Sequence, residues 1–289
     1  MSVPAPLPPP VGVHVPVGGG LARKGLAYAD AVGARAVQVF VGNPRGWATP
    51  AGDPAQDSAF RDRCGEEGVP AYVHTPYLVN LGSPTAATVE RSVAAVAHGL
   101  ARGRAIGALG VVVHTGSAVG EGAYDAAIAQ VREQLLPVLD ALQDGGPQLL
   151  LEPTAGQGRS LCATVEDLGP YLAALDHHPR VGVCLDTCHV FAAGHDLAAP
   201  GGTSATLDRL VEVAGPGRLG LVHANDSVDV CGSARDRHER IGRGHIGEAA
   251  FAELLRHPAV QGVPVVLETP GKEPEHREDI ALLERLRDG

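Results

Sequence analysis

No stretch of this 289-residue chain approaches ~18 consecutive apolar residues, which excludes a membrane-spanning helix. The opening MSVPAPLPPP places no basic region ahead of an apolar run, so no secretory signal is expected there. The five cysteines are odd in number and form no Cys-x-x-Cys pair, which argues against a disulfide framework and for a reducing cytoplasm. Positive charge is short too. A formal charge of −10 opposes nucleic-acid binding at first sight. No spacer, charge block or repeat divides the chain, so a Pro-rich tail over residues 1–10 and one domain over 11–289 are expected. The 38 Gly and 23 Pro come near the composition of low-complexity chains, but 44% hydrophobic residues point to a folded core. One methionine stands beside thirteen histidines.

Eight short β-branched runs read as strands: 12–17, 35–40, 70–74, 109–114, 148–152, 181–186, 219–223 and 263–268. Ala/Leu-rich stretches at helical spacing alternate with them, among them 86–107, 122–143, 164–177, 204–214, 247–256 and 275–287. Pro84-Thr85, Thr164 and Gly247-Glu248 look like helix starts. The strands are continuously apolar rather than alternating, as expected of a parallel sheet covered by helices. Eight such units predict a closed (β/α)8 TIM barrel in a single domain. A doubly wound open sheet is the alternative, but the GGG of 18–20 lacks the spaced glycines of a dinucleotide turn.

The C-terminal residue of one predicted strand after another is a potential metal ligand: His14, His74, His114, Glu152, Asp186, His223 and Glu268. Only the second strand, ending in Phe40, breaks the series. A barrel gathers those strand ends on one rim, where enzymes of this fold keep their active sites. His189 follows Asp186 by three positions, and Asp236 and His238 are separated by one, adding ligand types to loops on the same rim. Carboxylates and imidazoles without thiolate suit zinc, manganese or iron. Nine such residues exceed the needs of one tetrahedral ion and suffice for two or three. Several divalent ions would outweigh the four carboxylates and make a cationic pocket on an acidic protein, which answers the objection from net charge. His98, His177, His178, His257 and His276 fall on helices or helix ends and are expected to be solvated. His195 and His245 lie in rim loops, and His14 reads as a partner of a ligand rather than a ligand.

These residues sit in HTPYLVNLGSP (74–84), HTGS (114–117), EPTAGQG (152–158), GVCLDTCHVFAAGHDL (182–197), HAND (223–226) and GSARDRHERIGRGHIG (232–247). In these strings the chain closely resembles the endonuclease IV family of apurinic/apyrimidinic endonucleases, from GVHVPVGGGL (12–21) to LETP (267–270). The resemblance implies a TIM barrel with three Zn2+ per chain, Mn2+ or Fe2+ being alternatives at some positions. His74 and His114 would hold the first ion, with Glu152 bridging to the second. Asp186, His223 and Glu268 would complete the second, and His189, Asp236 and His238 the third. The implied reaction is hydrolysis 5′ to abasic sites in duplex DNA, leaving a 3′-hydroxyl and a 5′-deoxyribose phosphate. Implied too are action on 3′-blocked ends and association with the nucleoid during repair, and a monomer is expected. The chemistry fits, because phosphodiester hydrolysis needs an activated water, a neutralised phosphate and a stabilised leaving oxygen, all of which clustered divalent ions supply. Glu268 and Glu152 are the catalytic candidates, Glu268 orienting or deprotonating the water.

An enzyme at a rim pocket must take its nucleotide out of the stack, and side chains wedged into base steps are the usual means. The resemblance points to Arg45, Tyr77 and Leu78 for this role. Two departures weaken the expected DNA grip: Pro153 stands where the family has Asn, and Val228-Asp229 where it has a Lys. Arg235, Arg237, Arg240 and Arg243 are candidate compensating phosphate contacts. Two other readings compete. A single-metal sugar isomerase or epimerase of the same barrel superfamily would need Glu152, Asp186, His223 and Glu268 but not the other five ligands. A non-catalytic binder of abasic DNA would keep the fold and the metals.

Overall fold

A computed structural model describes residues 7–289; residues 1–6, most of the expected tail, lie outside the described residues. Eight parallel strands close into a barrel: β1 (Val11–His14), β2 (Val37–Phe40), β3 (Ala71–His74), β4 (Gly110–His114), β5 (Gln148–Glu152), β6 (Val181–Asp186), β7 (Leu219–His223) and β10 (Val265–Leu267). Neighbours in sequence are neighbours in the barrel, and β10 closes it on β1 through Val11↔Val265 and Val13↔Leu267. A separate antiparallel ribbon, β8 (Asp226–Ser227) with β9 (His238–Glu239), rises from the loop after β7. The helices are α1 (Ala27–Val32), α2 (Pro54–Glu67), α3 (Ala86–Ala105), α4 (Tyr124–Asp140), α5 (Leu168–Ala174), α6 (Thr187–Ala193), α7 (Gly202–Ala214), α8 (Glu248–Arg256) and α9 (Glu273–Asp288). Among the described residues no helix is long and apolar enough to cross a membrane.

All eight expected strands form, with trimmed ends where proline removes a ladder donor, as at Pro16 and Pro264. Thr85 and Gly247 do flank the first residues of α3 and α8. Thr164 does not start a helix: the Asp167 carboxylate accepts from the amides of Ala163 and Thr164, holding them in a turn, and α5 begins at Leu168. Two of the histidines expected in solvent are buried. His276 Nδ1 accepts from the Tyr28 hydroxyl while its Nε2–H donates to the Thr269 carbonyl, and His257 accepts from the Ala259 amide.

The barrel bore holds two layers of side chains. The lower one is Ala36, Tyr72, Val112, Leu150, Cys184, Leu221 and Val266, a cluster separate from the larger core between sheet and helices. Leu150 plugs it: a Cβ at Gly110, Gly182 or Gly220 would stand 2.7, 2.8 or 2.9 Å from its methyls. Glycine on three strands makes room for one leucine. The upper layer lies two residues further along each strand, since alternate residues share a face.

Candidate metal centre

Counting two residues up from the lower layer gives Gln38, His74, His114, Glu152, Asp186, His223 and Glu268, with His14 from β1. The second strand is therefore no exception. Its contribution is Gln38, wholly buried, rather than Phe40, whose ring lies 4.3 Å from His14 and 5.5 Å from His74. The sequence signal was present, a lone polar residue inside an apolar strand, but it sits two positions before the strand end.

Local structure brings in the remaining ligand types. Asp186 ends β6 and caps α6, its Oδ1 accepting the His189 amide at 3.0 Å, so the three-residue spacing becomes one helical turn at the rim. The loop after β7 returns through the ribbon, where Ser227↔His238 and Asp226↔Glu239 are paired, and carries Asp236 and His238 back over the barrel. Buried Asp226 anchors that return by accepting the amides of Gly242, Gly244, Ile246 and Gly247 at 2.8–3.3 Å. Any Cβ at Gly244 would stand 2.3 Å from the Ser227 carbonyl oxygen, so the loop closes only on glycine.

The nine expected ligands converge. His74 Nε2 and His114 Nε2 lie 3.1 and 3.4 Å from Glu152 Oε2. His223 Nδ1 is 3.0 Å from Glu152 Oε1, 3.3 Å from Glu268 Oε2 and 3.8 Å from Asp186 Oδ2. His189 Nε2 and His238 Nε2 face Asp236 at 3.3 and 3.1 Å, and His238 Nε2 is 3.4 Å from Asp186 Oδ2. Ligand atoms lie within 4.8 Å of one another in three sets: His74, His114 and Glu152; Glu152, Asp186, His223 and Glu268; His189, Asp236 and His238. The thiols of Cys184 and Cys188 come near the same carboxylates and histidines, but burial pushes both up to about 12.

Four rings have their tautomers fixed from outside the cluster. Nδ1–H donates to the Thr75 carbonyl from His74, to the Pro153 carbonyl from His189 and to the Glu268 carbonyl from His238. In His223 the roles invert, Nε2–H donating to Gln38 Oε1 at 2.9 Å. Each ring thereby turns its other nitrogen toward the carboxylates, as ligand histidines do. His238 Nε2 is buried between two carboxylates, 3.1 Å from Asp236 and 3.4 Å from Asp186, with no well-formed hydrogen bond to either. The donor set and this orphaned nitrogen fit cations better than they fit one another.

Electrostatics shows the same strain. Burial opposes charge throughout, yet Asp186, Asp236 and Glu152 push His189 up to about 10, and Asp186 and Asp236 push His238 up to about 9. Burial likewise favours neutral Glu152 and Asp236, but surrounding histidines hold both carboxyls well below the usual range. The carboxylates demand positive charge, and without cations the histidines must supply it.

A cavity of about 320 Å³ opens over the cluster, walled by Tyr77, His114, His189, Asp236, His238, Glu268 and Pro270. Tyr77 is 51% exposed with its ring 5.7 Å from that of His74, and its neighbour in sequence, Leu78, is 39% exposed. The Tyr77 amide donates to the Pro44 carbonyl at 3.0 Å, which sets exposed Arg45 beside them. Arg235 and Arg237 are exposed and lie 3.5 Å from Asp229, and Arg243 is exposed. Arg240 is different: Asp279 and Glu278 hold its guanidinium at 2.8 Å against α9, and it is not free for phosphate. Sequence reading also gave no role to Asn225, whose Nδ2 donates to Asp186 Oδ2 at 2.7 Å while its Oδ1 accepts the Glu268 amide at 2.9 Å.

The family model described as "Xylose isomerase-like TIM barrel" matches residues 26–286. A Streptomyces coelicolor protein named "Probable endonuclease 4" is 63% identical over 281 residues, covering 97% of this chain and 96% of its own. One of the same name from Methanoculleus marisnigri is 39% identical, covering 96% and 98%. The crystal structure of endonuclease IV from Thermus thermophilus superposes with a TM-score of 0.84 at 35% identity, covering 97% and 99%. A D-tagatose 3-epimerase-like protein superposes with a TM-score of 0.74 at 17% identity, covering 96% and 97%, and shares the fold.

Proposed function

The chain belongs to the endonuclease IV family of the xylose isomerase-like barrels and is a nuclease, and from that premise we propose that it hydrolyses the phosphodiester 5′ to abasic sites in duplex DNA. The products on this reading are a 3′-hydroxyl and a 5′-deoxyribose phosphate, and 3′-blocked ends are a second substrate. The observation that carries it is the convergence of five imidazoles and four carboxylates, with four of the rings held so that one nitrogen of each faces inward.

Three zinc ions match the three ligand sets, Mn2+ or Fe2+ being compatible with the same donors. His74 and His114 would hold one with Glu152; Asp186, His223 and Glu268 a second with Glu152 shared; His189, Asp236 and His238 the third. Bound ions would supply phosphate charge neutralisation and activation of water. The chain's own residues do the rest. Glu268 sits on the cavity wall with Oε1 held from behind, so it can orient an attacking water and accept its proton. Glu152 is wholly buried and ties the two sides of the site together. Arg45, Tyr77 and Leu78 would enter the duplex beside the extruded sugar, and Arg235, Arg237 and Arg243 would face phosphates. Asp229 competes for two of those arginines, which is where the missing family lysine would be felt. One chain supplies every group, so a monomer suffices.

A single-metal isomerase would use Glu152, Asp186, His223 and Glu268 and leave His74, His114, His189, Asp236 and His238 without a purpose; their convergence supports the nuclease. The test is incubation with a duplex carrying one tetrahydrofuran abasic analogue, with products resolved on a gel and metal measured in the same preparation. Incision on the 5′ side, with about three zinc ions per chain, is expected. Intact duplex from a protein holding one tight ion overturns the reading.

A further inference from the structure

We propose that Gln38 is a positioning residue for the metal centre: its single amide selects the nitrogen of His223 and the oxygen of Glu268 that face the metal. This rests on the metal-centre reading above.

Gln38 is wholly buried in β2 and shares the upper layer of the bore. Its Nε2 donates to Glu268 Oε1 at 2.6 Å, and its Oε1 accepts from His223 Nε2 at 2.9 Å. The amide orientation follows from the contacts, because the reverse would press its oxygen against a carboxylate oxygen. His14 Nδ1 lies 2.9 Å from the same Glu268 Oε1 and 3.0 Å from Gln38 Nε2, closing a three-membered contact around that oxygen. With Oε1 taken by the Gln38 amide and faced by the His14 ring, Glu268 turns Oε2 to the site, and that atom is the one 3.3 Å from His223 Nδ1. With Nε2–H committed to Gln38, His223 has only Nδ1 to offer, and that atom is the one 3.0 Å from Glu152. The other rings with fixed tautomers present Nε2, held by backbone carbonyls close to the rim. His223 alone is held by a side chain, from a strand three places away in the barrel order, beyond β10 and β1. A glutamine suits the task because it presents a donor and an acceptor on one rigid plane, so the His223 ring and the Glu268 carboxylate are set relative to each other.

The test compares wild type with Gln38→Met, which keeps the length and loses both hydrogen bonds, and Gln38→Glu, which keeps the acceptor for His223 and opposes Glu268 with like charge. Zinc per chain, zinc retention against a competing chelator, melting of the chelator-stripped protein, and kcat and KM on an abasic duplex are read together. In both variants one of the zinc ions should be held about 10–100-fold more weakly. The fall should appear in kcat with KM within about twofold, because duplex contacts are untouched. Melting of the stripped Gln38→Met protein should match wild type. Wild-type zinc retention and turnover in both variants overturns the assignment, as does a variant that loses stability but keeps its zinc. If wild type itself binds no zinc, the metal-centre reading fails first, and that result differs from zinc bound equally by all three proteins.

Discussion

The two ends of the barrel bore are built by the same strands two residues apart, yet they obey opposite rules. At the lower end Leu150 fills space left by Gly110, Gly182 and Gly220, and the Tyr72 hydroxyl, the one polar tip there besides the Cys184 thiol, donates to the Gly220 carbonyl at 2.9 Å. That layer is held by shape and the hydrophobic effect. At the upper end Glu152, Asp186 and His223 are equally buried, but each is a charged or chargeable group whose neighbours are others of its kind. Burying charges costs far more than burying methyls and is offset only by opposite charge or metal. The lower layer makes the fold stable, and the upper spends that stability on a site that holds cations.

The largest effect should come from the upper layer. Glu268→Gln should lower single-turnover incision of an abasic duplex by about 10²–10⁴-fold, the range for losing a proton-handling group, with duplex affinity nearly unchanged. Equal loss of affinity in a gel-shift titration would make Glu268 architectural. The mirror experiment at the lower layer is Leu150→Ala, which should cost about 2–5 kcal/mol in urea unfolding while zinc content and kcat per folded molecule persist. Gly220→Ala should cost about 1–3 kcal/mol alone, because its Cβ meets Leu150, and markedly less on a Leu150→Ala background. Additive costs would break the plug picture. A loss of zinc in Leu150→Ala would break the separation of layers altogether.

A third test leaves the bore. Removing Tyr77 and Leu78 together should weaken binding to abasic duplex about tenfold or more, as expected for losing base-stacking contacts worth ~1–3 kcal/mol, with zinc content unchanged. A fluorescent base opposite the lesion should also brighten less on binding, and unchanged affinity and brightness would sink the wedge.

The smallest effect is in pH. In protein stripped by chelator, burial opposes protonation of His189 and His238, but the carboxylates raise them to about 10 and about 9. Folded values above the ordinary ~6.5 mean that their stabilisation is complete below about pH 6.5 and fades as pH rises toward 9–10. Asp236 and Glu152, held low, contribute above the ordinary carboxylate range and lose that contribution as pH falls through it. The stripped protein should therefore melt at progressively lower temperature from pH 7 to 10. The zinc-loaded protein should not follow it, because metal binding is favoured when the same rings are deprotonated. Parallel melting curves would mean that the histidines do not sit on the metal.

The sequence by itself determined the barrel and most of its rim. Eight apolar runs, seven of them carrying a metal-ligand type at or near the end, are local facts, and a parallel barrel puts strand ends together whatever the loops do. What it could not determine depends on partners far away along the chain. The role of Gln38 was hidden because 38 and 40 share one face of β2, and only the closed barrel brings the Gln38 amide onto Glu268 and His223. Burial of His276, capture of Arg240 by α9 and the bracing of Asp186 and Glu268 by Asn225 each need an element from another part of the chain. So do the ligand tautomers: His223 is set by a residue 185 positions away, and Glu268 is held by His14 across 254. Residue type fixes which atoms can bind a metal; the hydrogen bonds that decide which of those atoms is free form only when distant strands close the ring.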